Sequence, residues 1–297
     1  MMESPLLSVI LCCYNAEEHL SKAINSILDQ SFTDFEFIIW NDGSTDKTET
    51  IIKSFKDERI RYYFHENLGL GASLRLACTY ARGRYIARMD ADDISVKTRF
   101  EEEIKYLNTH KNVVLVSSAV KYINDDDIEI GRSFPVTTSR AIKKKFAKGN
   151  SAVVHPACMF RPEAYIAAGG YQELRRSQDM VLFSRMLKYG DFHNISTPLL
   201  HYRVSNNSIT SLTEASDYSD IIRLYKRKLV SDSLIDEKDV YIYNLLVEQS
   251  RKKKATNSYV PKSSGSKIEI LLYRILKLFL GERCAEIIIC SLKNLTS

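Results

Sequence analysis

The feature that most constrains the fold is a regular alternation of short apolar runs with amphipathic segments over the first ninety residues. The apolar runs cover residues 6–12, 35–40, 60–64 and 85–89. The segments between them cover residues 16–28, 46–55 and 71–81, and they place apolar side chains at helical spacing. Strands that alternate with helices in this way predict an α/β fold built on a parallel sheet.

Polar clusters follow each of the four predicted strands. The clusters are Tyr14-Asn15, Asn41-Asp42-Gly43-Ser44, Asn67-Leu68-Gly69 and residues 90–93. The carboxyl ends of parallel strands meet at one edge of a sheet, where ligands of open α/β folds bind. The pattern therefore predicts a ligand site built from these four loops.

The fourth cluster places Asp90, Asp92 and Asp93 within four positions, directly after an apolar strand. Clustered carboxylates repel one another unless a cation neutralises them. Oxygen ligands suit a hard divalent ion such as Mg²⁺ or Mn²⁺, which keeps open positions for waters and phosphates. The alternative is an acidic loop in which Asp92 or Asp93 caps a helix that begins at Ile94. The residues alone leave both interpretations open.

Charge and cysteine usage limit the cellular context. Residues 221–297 hold 15 lysines and arginines against 8 acidic residues, whereas residues 1–220 hold 27 against 29. The six cysteines lack metal-binding spacing and lie mostly in apolar runs, which is typical of reduced core thiols. There is no signal pattern and no stretch long enough for an uncharged membrane span. We therefore expect a cytoplasmic protein.

The rest of the chain predicts a second set of elements and a helical extension. Helices are predicted at 99–107, 139–148 and 179–189, and strands at 113–118, 120–123, 155–161 and 198–204. Two helices follow, at 219–231 and 239–254, and the polar segment 252–267 reads as a linker. Residues 216–297 are thus expected to form a basic, helical carboxyl-terminal extension.

Residues 268–292 have a wide apolar surface, with Lys267, Arg274 and Lys277 on one narrow face. This pattern fits a helix lying in a membrane interface, which would place the protein peripherally on the inner face of the membrane. A helix packed on the core or on a partner explains the pattern equally well. The basic run 251–254 lacks interleaved aromatic residues, which disfavours nucleic-acid binding. The sequence does not indicate an oligomeric state.

The ordered set of motifs over residues 6–210 resembles family 2 glycosyltransferases of the GT-A type. Its pieces are Ser8-Val9-Ile10 through Tyr14-Asn15, Asn41-Asp42-Gly43-Ser44-Thr45-Asp46, Asn67-Leu68-Gly69-Leu70, residues 83–93, His155-Pro156, Gly169-Gly170-Tyr171, Ser177-Gln178-Asp179 with Arg185, and Tyr202-Arg203. The resemblance implies a Rossmann-like, mixed and mostly parallel sheet flanked by helices. It further implies a catalytic domain over 1–215, with a nucleotide-sugar half (1–95) and an acceptor half (96–215).

The resemblance implies roles for individual residues. Asp92 would ligate Mn²⁺ or Mg²⁺, and Asp90 would contact the metal or the donor ribose. Donor-binding residues would be Cys12, Tyr14, Asp42, Gly69, Asp90 and Arg203. Asp42 would accept the N3–H of a uracil, Tyr14 would pack near the base or ribose, Cys12 would offer backbone contacts, and Arg203 would reach the diphosphate. Asn41 and Cys12-Cys13 depart from the family pattern, and both departures alter the predicted nucleotide pocket.

Asp179 is the candidate general base, because an inverting transfer needs a carboxylate that removes the acceptor hydroxyl proton. The alternative is a helix N-cap before Met180. His155 and His201 are weaker candidates for the metal site, because a lone histidine is more often structural than a ligand.

The function implied is metal-dependent transfer of a sugar, with inversion, from a nucleotide sugar to a hydroxyl. A UDP-sugar is the favoured donor, and the acceptor would be a glycan or a lipid-linked oligosaccharide. One alternative is a non-catalytic nucleotide-sugar-binding or scaffold protein. Another is a sugar nucleotidyltransferase, although residues 13–17 contain neither the glycine nor the lysine of a phosphate loop. A dinucleotide-dependent oxidoreductase is disfavoured, since no G-x-G-x-x-G follows the first strand.

Overall fold

The structure is a computed structural model that describes residues 4–174 and 176–204, together with residues 240, 241, 243–245 and 248. Within these residues the strands form one nine-stranded sheet. Helices cover both faces of this sheet and enclose two apolar cores. The α/β sandwich expected from the alternating pattern is therefore confirmed.

The first half of the fold, residues 4–95, is a parallel sheet. Its elements are β1 (Leu7–Cys13), α1 (Leu20–Leu28), β2 (Phe35–Asp42), α2 (Thr48–Ser54), β3 (Ile60–His65), α3 (Leu70–Thr79), β4 (Tyr85–Met89) and the short β5 (Ile94–Ser95). Strands β3, β2, β1 and β4 pair side by side in that order, and all pairs are parallel. The carboxyl ends of these four strands consequently face one edge of the sheet.

The second half, residues 96–204, extends the sheet with mixed directions. Its elements are α4 (Arg99–Thr109), β6 (Val113–Ile123), β7 (Glu129–Arg132), α5 (Ser139–Ala147), β8 (Met159–Phe160), α6 (Pro162–Ala167), α7 (Gln178–Met186) and β9 (Asp191–Arg203). The order continues β4-β8-β6-β9-β5, and β7 pairs with β6. Strands β6 and β9 are parallel, whereas β8 runs against both β4 and β6. Since β5 pairs with β9, the end of β9 lies beside the loop that follows β4.

Four predicted strands are corrected by the structure. The strand predicted over 155–161 is a 3₁₀ turn, His155–Ala157, followed by the two-residue β8. Pro156 explains the difference, since a proline has no N–H to donate to a ladder. The strands predicted at 113–118 and 120–123 are one strand, β6, with irregular pairing near Ala119. The last strand begins at Asp191, before the predicted start at residue 198.

Burial explains why the apolar runs become central strands. On β1, Val9 and Leu11 pack into the core that α1, α2 and α4 cover. Ile10 and Cys12 point to the opposite core, which α3, α5, α6 and α7 cover. A strand buried on both faces reads as a continuous apolar run, as parallel strands do.

Only six residues of the predicted carboxyl-terminal extension lie within the described residues. Residues 240, 241, 243–245 and 248 are helical, in agreement with the helix predicted at 239–254. Tyr243 is buried, and its hydroxyl donates to Ser177 Oγ at 3.1 Å. The helix predicted at 219–231, the linker at 252–267 and the amphipathic segment at 268–292 lie outside the described residues. Among the helices that are described, none has the length and apolar character to cross a membrane.

Candidate functional site

Three carboxylates meet at the carboxyl end of β4. Asp90, Asp92 and Asp93, the carboxylate loop, each offer an oxygen, and these oxygens all lie within 4.8 Å of one another. Within the part of the chain that the structure describes, this is the only group of three or more potential metal-ligating acidic, histidine or cysteine side chains. The helix-capping alternative is wrong, because Ile94 begins β5 and the next helix starts at Arg99.

The electrostatics of the carboxylate loop favour a bound cation. Burial and, next, the charge of Asp90 raise the pKa of Asp92 to about 6. The same two causes hold the pKa of Asp93 well above its ordinary value, although the backbone N–H of Arg203 opposes them. Carboxylates that resist ionisation in this way are stabilised as anions when a divalent ion binds between them. The donor set thus fits a hard cation.

Arg203 braces the carboxylate loop from the end of β9. Its backbone N–H donates to Asp93 Oδ1 at 2.8 Å, and its Nε donates to the carbonyl of Asp92 at 2.8 Å. Its two terminal nitrogens donate to the carbonyl of Asn124 and to the carboxylate of Asp127. The side chain is 0% exposed. The predicted contact between Arg203 and a donor diphosphate is not supported by this geometry, since every guanidinium nitrogen already has a protein partner.

Arg88 is a site residue that the sequence reasoning missed. It lies on β4 two residues before Asp90, so both side chains project from the same side of the chain. Its Nη2 forms an ion pair with Asp90 Oδ1, and its pKa is raised mainly by Asp90 against the opposing effect of burial. The signal was available: a charged residue interrupts an otherwise apolar strand immediately before the carboxylates.

The loops after β1 and β2 are locked to each other. Asn15, in a left-handed conformation, accepts the Thr45 backbone N–H at 2.8 Å and donates its own backbone N–H to Ser44 Oγ at 3.0 Å. In the residues that follow, the carboxylate of Asp46 accepts the Glu17 backbone N–H, and the carboxylate of Glu17 accepts the Lys47 backbone N–H. Tyr14 directly precedes Asn15 in the loop after β1. Its surface is 52% exposed, so a ligand can reach its ring.

Asp42 joins the loop after β2 to the loop after β3. Its two carboxylate oxygens accept the backbone N–H groups of Leu68 and Gly69, at 2.8 and 3.0 Å. Gly43 permits this approach, because a Cβ at its position would lie 2.6 Å from the Asn67 nitrogen. Gly69 adopts φ of +90° just before α3. Two of the predicted donor-binding residues, Asp42 and Gly69, are therefore joined directly by a hydrogen bond.

The departures from the family pattern have structural roles here. Asn41 is fully buried, and its side chain accepts the Ser44 N–H at 3.0 Å and donates to the Tyr62 hydroxyl at 3.2 Å. Cys12 and Cys13 are buried thiols on opposite faces of β1, and burial raises the pKa of both. Any contact that Cys12 makes with a ligand would thus involve its backbone.

Asp179 is half-buried in the first turn of α7. The N-cap alternative is wrong, because the cap position belongs to Ser177, whose φ is +59°. Burial raises the pKa of the Cys158 thiol, and the charges of Glu103 and Asp179 add to that shift. Asp179 therefore lies within electrostatic reach of Cys158, whose carbonyl accepts the Arg88 backbone N–H at 3.0 Å.

Neither histidine considered for the metal site belongs to the carboxylate group. His155 is half-buried, and its Nε2 lies 2.7 Å from the Tyr171 hydroxyl. Burial, followed by the nearby Arg88, holds the pKa of His155 well below its ordinary value. His201 lies on β9 opposite Ile94. His155 is thus accounted for by its contact with Tyr171, and His201, by its place on β9, is not joined to the carboxylate loop.

Comparison with known proteins identifies the family. The sequence model of glycosyl transferase family 2 matches residues 8–168. An uncharacterized glycosyltransferase of Methanocaldococcus jannaschii, MJ1057, is 36% identical over 227 residues, which cover 73% of this chain and 78% of the relative. The putative glycosyltransferase EpsE of Bacillus subtilis is 31% identical over 226 residues (74% and 80%). The O-antigen biosynthesis glycosyltransferase WbnJ of Escherichia coli is 29% identical over 209 residues (68% and 81%).

Solved structures support the fold. S. aureus TarS 1-349, in complex with UDP-GlcNAc, superimposes with a TM-score of 0.63 over 92% of this chain and 81% of its own, at 17% identity. The mannosyltransferase PcManGT of Pyrobaculum calidifontis, in complex with GDP-Man and Mn²⁺, gives 0.56 over 99% and 88%, at 15% identity. The family match spans more than half of the chain, and the first relative exceeds 30% identity over most of it. The chain therefore belongs to glycosyl transferase family 2 and is a glycosyltransferase.

Proposed function

We propose that this enzyme transfers a sugar, with inversion, from a nucleotide sugar to a hydroxyl of a glycan or lipid-linked oligosaccharide, and that it needs a divalent cation to do so. The observation that carries the proposal is the carboxylate loop at the end of β4, whose three oxygens lie within 4.8 Å. Three further loops, after β1, β2 and β3, border the same edge of the sheet. This is where an α/β fold binds a nucleotide.

Asp92 and Asp90 would hold Mn²⁺ or Mg²⁺. Carboxylate oxygens are the ligands these ions prefer, and the presence of Mn²⁺ in the PcManGT complex is consistent with such a site. When bound, the cation would supply Lewis-acid stabilisation of the departing diphosphate. Arg203 keeps the loop in place, because it holds the Asp92 carbonyl and the Asp93 carboxylate.

The donor would lie against Tyr14, the backbone of Cys12, Asp42 and Gly69. TarS and PcManGT were solved with UDP-GlcNAc and GDP-Man, which supports a nucleotide-sugar donor of either base. We favour uracil. Each oxygen of the Asp42 carboxylate accepts one backbone N–H and keeps a second lone pair, which suits the N3–H of that base.

Asp179 would act as the general base. Its carboxylate would accept the proton of the acceptor hydroxyl while that oxygen attacks the anomeric carbon from the side opposite the diphosphate. Attack from that side inverts the configuration of the anomeric carbon. The name of the E. coli relative WbnJ supports an acceptor in surface-polysaccharide synthesis.

The proposal includes a division of labour along the chain. Residues 1–95 would bind the nucleotide sugar, and residues 96–215 would bind the acceptor, within a catalytic domain of 1–215. The basic extension 216–297 would hold the enzyme at the cytoplasmic face of the membrane through residues 268–292. That arrangement would bring the active site to a lipid-linked acceptor.

A ligand panel tests the proposal. The full chain would be mixed with UDP, GDP, UDP-GlcNAc and GDP-mannose, with and without Mn²⁺, and its melting temperature measured, since a ligand that binds the native state raises it. We expect a shift that depends on Mn²⁺ and is lost in Asp92→Asn. Release of UDP or GDP from the bound donor then separates an enzyme from a protein that only binds. Failure of every nucleotide to shift the melting temperature would contradict the proposal.

A further inference from the structure

Arg88 occupies an unusual position for a charged side chain. It is 3% exposed and lies in the middle of the sheet, on a strand whose other residues are Tyr85, Ile86, Ala87 and Met89. Its backbone is fixed on both sides: its N–H donates to the Cys158 carbonyl at 3.0 Å, and its carbonyl accepts Arg99 Nη2 at 2.9 Å. The guanidinium group is therefore presented from a rigid base.

The guanidinium is only partly satisfied. Nη2 is paired with Asp90, but Nε and Nη1 are buried without a hydrogen-bond partner. Among the described residues, Arg88 is the only arginine with two buried guanidinium nitrogens that lack a hydrogen-bond partner. Native structures leave few buried polar groups unpaired, and such a group needs a specific explanation.

Other buried arginines of this protein show what a purely structural arginine looks like. Arg161 donates to the carbonyls of Val113 and Leu107 and to the Tyr85 hydroxyl. Arg203 likewise has a partner for each guanidinium nitrogen. The fold can thus satisfy a buried arginine completely where its role is to hold the backbone, and it does not do so at Arg88.

The surroundings do not provide the missing acceptors. The narrow cleft beside Arg88 is lined by Ile10, Leu74, Cys78, Ile86, Phe160 and Tyr171. It has no room for a water molecule, and the Tyr171 hydroxyl, which pairs with His155, makes no hydrogen bond with Nε or Nη1 of Arg88. Asp90, which pairs with Nη2, is 28% exposed and is therefore the end of this ion pair that a ligand can reach. A molecule that binds at Asp90 is thus a source of the missing acceptors.

We propose that Arg88 is a donor-binding residue whose unpaired N–H groups bind oxygen atoms of the donor. The inference rests on the proposed function, which places a nucleotide sugar at the carboxylate loop. When Asp90 turns toward the cation or the donor, the guanidinium at the end of its flexible side chain follows and donates to the bound ligand. The oxygens belong to the diphosphate or to hydroxyls of the sugar, and a planar guanidinium fork suits both.

The proposal predicts an unusual combination of effects for Arg88→Met. Removal of the guanidinium leaves Asp90 without its partner, but Asp90 is partly exposed and water can solvate it. Removal also eliminates two unsatisfied buried donors. The ligand-free variant should therefore melt at or above the temperature of the wild type, while its affinity for the donor falls. A residue kept for function at the expense of stability behaves in this way.

The test compares wild type, Arg88→Met and a matched control, Arg161→Met, as full chains. Calorimetric titrations would measure the affinity for Mn²⁺ alone, and for UDP, UDP-GlcNAc, GDP and GDP-mannose in the presence of Mn²⁺. We expect Arg88→Met to lose about tenfold or more in affinity for the nucleotide that the wild type binds, as for a charged hydrogen bond. Its affinity for Mn²⁺ alone should not fall, because the substitution removes a cation that competes with Mn²⁺ for Asp90. Arg161→Met should instead melt at a lower temperature and keep the wild-type affinity.

The probes distinguish the two sources of oxygen. If the affinity for the nucleoside diphosphate and for its nucleotide sugar falls equally, Arg88 contacts the diphosphate. If only the affinity for the nucleotide sugar falls, Arg88 contacts the sugar. Unchanged affinity for every probe, or a loss for Mn²⁺ alone as large as that for the nucleotides, would overturn the proposal. If the wild type binds none of the probes, the proposed function falls as well, so the two failures are separable.

Discussion

The two halves of the sheet contribute to the site in different ways. In residues 4–95, four parallel strands end at one edge, and the loops that follow them supply Tyr14, Asp42, Gly69 and the carboxylate loop. In residues 96–204 the strands run in both directions, and the groups nearest the site, such as Arg203, mainly hold the first half in place. The parallel strands of the first half thus bring the proposed ligand-binding groups together. The mixed strands of the second half hold these groups in place.

The two arginines beside the carboxylate loop illustrate this difference. Arg88 comes from the first half and leaves two N–H groups unpaired. Arg203 comes from the second half and has partners for all its guanidinium nitrogens. We interpret Arg88 as a residue whose unpaired N–H groups bind a ligand, and Arg203 as a residue whose contacts are structural. The predictions below test whether binding, catalysis and support can be separated in this way.

The largest effect is expected from Asp92→Ala, which removes the proposed metal ligand of the first half. Donor binding should lose its dependence on Mn²⁺, with a loss of at least about 100-fold in affinity, because a lost ligand should cost no less than the second-shell changes that weaken metal sites. Titration of the nucleotide sugar at several Mn²⁺ concentrations measures the effect. A variant that retains the Mn²⁺ dependence of the wild type would remove Asp92 from the metal site.

Asp179→Asn should separate catalysis from binding. The variant should bind the donor and Mn²⁺ as the wild type does, but transfer should fall by about 10²–10⁴-fold, the range for loss of general-base catalysis. Release of the nucleoside diphosphate from the donor measures transfer, and the titration used for Asp92 measures binding. Release at the wild-type rate would rule out Asp179 as the base, and weaker donor binding would place it on the donor instead.

Arg203→Met should destabilise the protein, in contrast to Arg88→Met. The substitution leaves the carbonyls of Asp92 and Asn124 without their donor in a partly buried position and removes one of the two cationic partners of Asp127. We expect the free energy of unfolding to fall by about 2–4 kcal/mol, measured by urea denaturation.

Lys22→Met is the matched control for Arg203, because Lys22 also pairs with Asp127 but is more than half exposed. Its effect should stay within about 0.5 kcal/mol. Equal stability losses for the methionine variants of Arg88 and Arg203 would erase the distinction between the two arginines.

The difference between the halves also determines what sequence reasoning could reach. The four parallel strands, the loops at their ends and the carboxylate group were predictable, because they depend on periodicity and on residues close together in the chain. The family and the fold are confirmed. The role of Arg203 was not predictable, because it depends on the pairing of β5 with β9 across more than a hundred residues. The assignments of Asp42, Asp92 and Asp179 to individual steps stay predictions.

The missed features have identifiable physical causes. The strand expected at 155–161 is interrupted by Pro156, whose missing N–H could have been weighed from the sequence. Arg88 was visible as a charge within an apolar strand, but its unpaired nitrogens depend on what packs around it. That information comes from α3, β8 and the segment before α7, which no local pattern brings together.

The last prediction concerns the pH dependence of stability at Glu103, through which α4 of the second half supports the end of β4. Glu103 is fully buried and pairs with Arg99, which in turn donates to the Arg88 carbonyl. Burial raises the pKa of Glu103 to about 7, although Arg99 opposes the shift. Between pH 4.5, the ordinary pKa of this side chain, and pH 7, Glu103 is protonated in the folded state but ionised in the unfolded state. The free energy of unfolding should therefore fall as pH rises through this window, by at most about 1.4 kcal/mol per unit.

Glu103→Gln removes this titration but keeps an oxygen that can accept from Arg99. From pH 4.5 to 7, the free energy of unfolding of the wild type should accordingly fall relative to that of the variant. Above pH 7 the difference between the two should stay constant. Urea denaturation at pH 5, 6, 7 and 8 measures it. A difference that instead stays constant from pH 5 to 8 would mean that Arg99 outweighs burial and keeps Glu103 ionised throughout this range. In that case the support beneath β4 is an ion pair, and the first half would depend on the second for charge compensation as well as for packing.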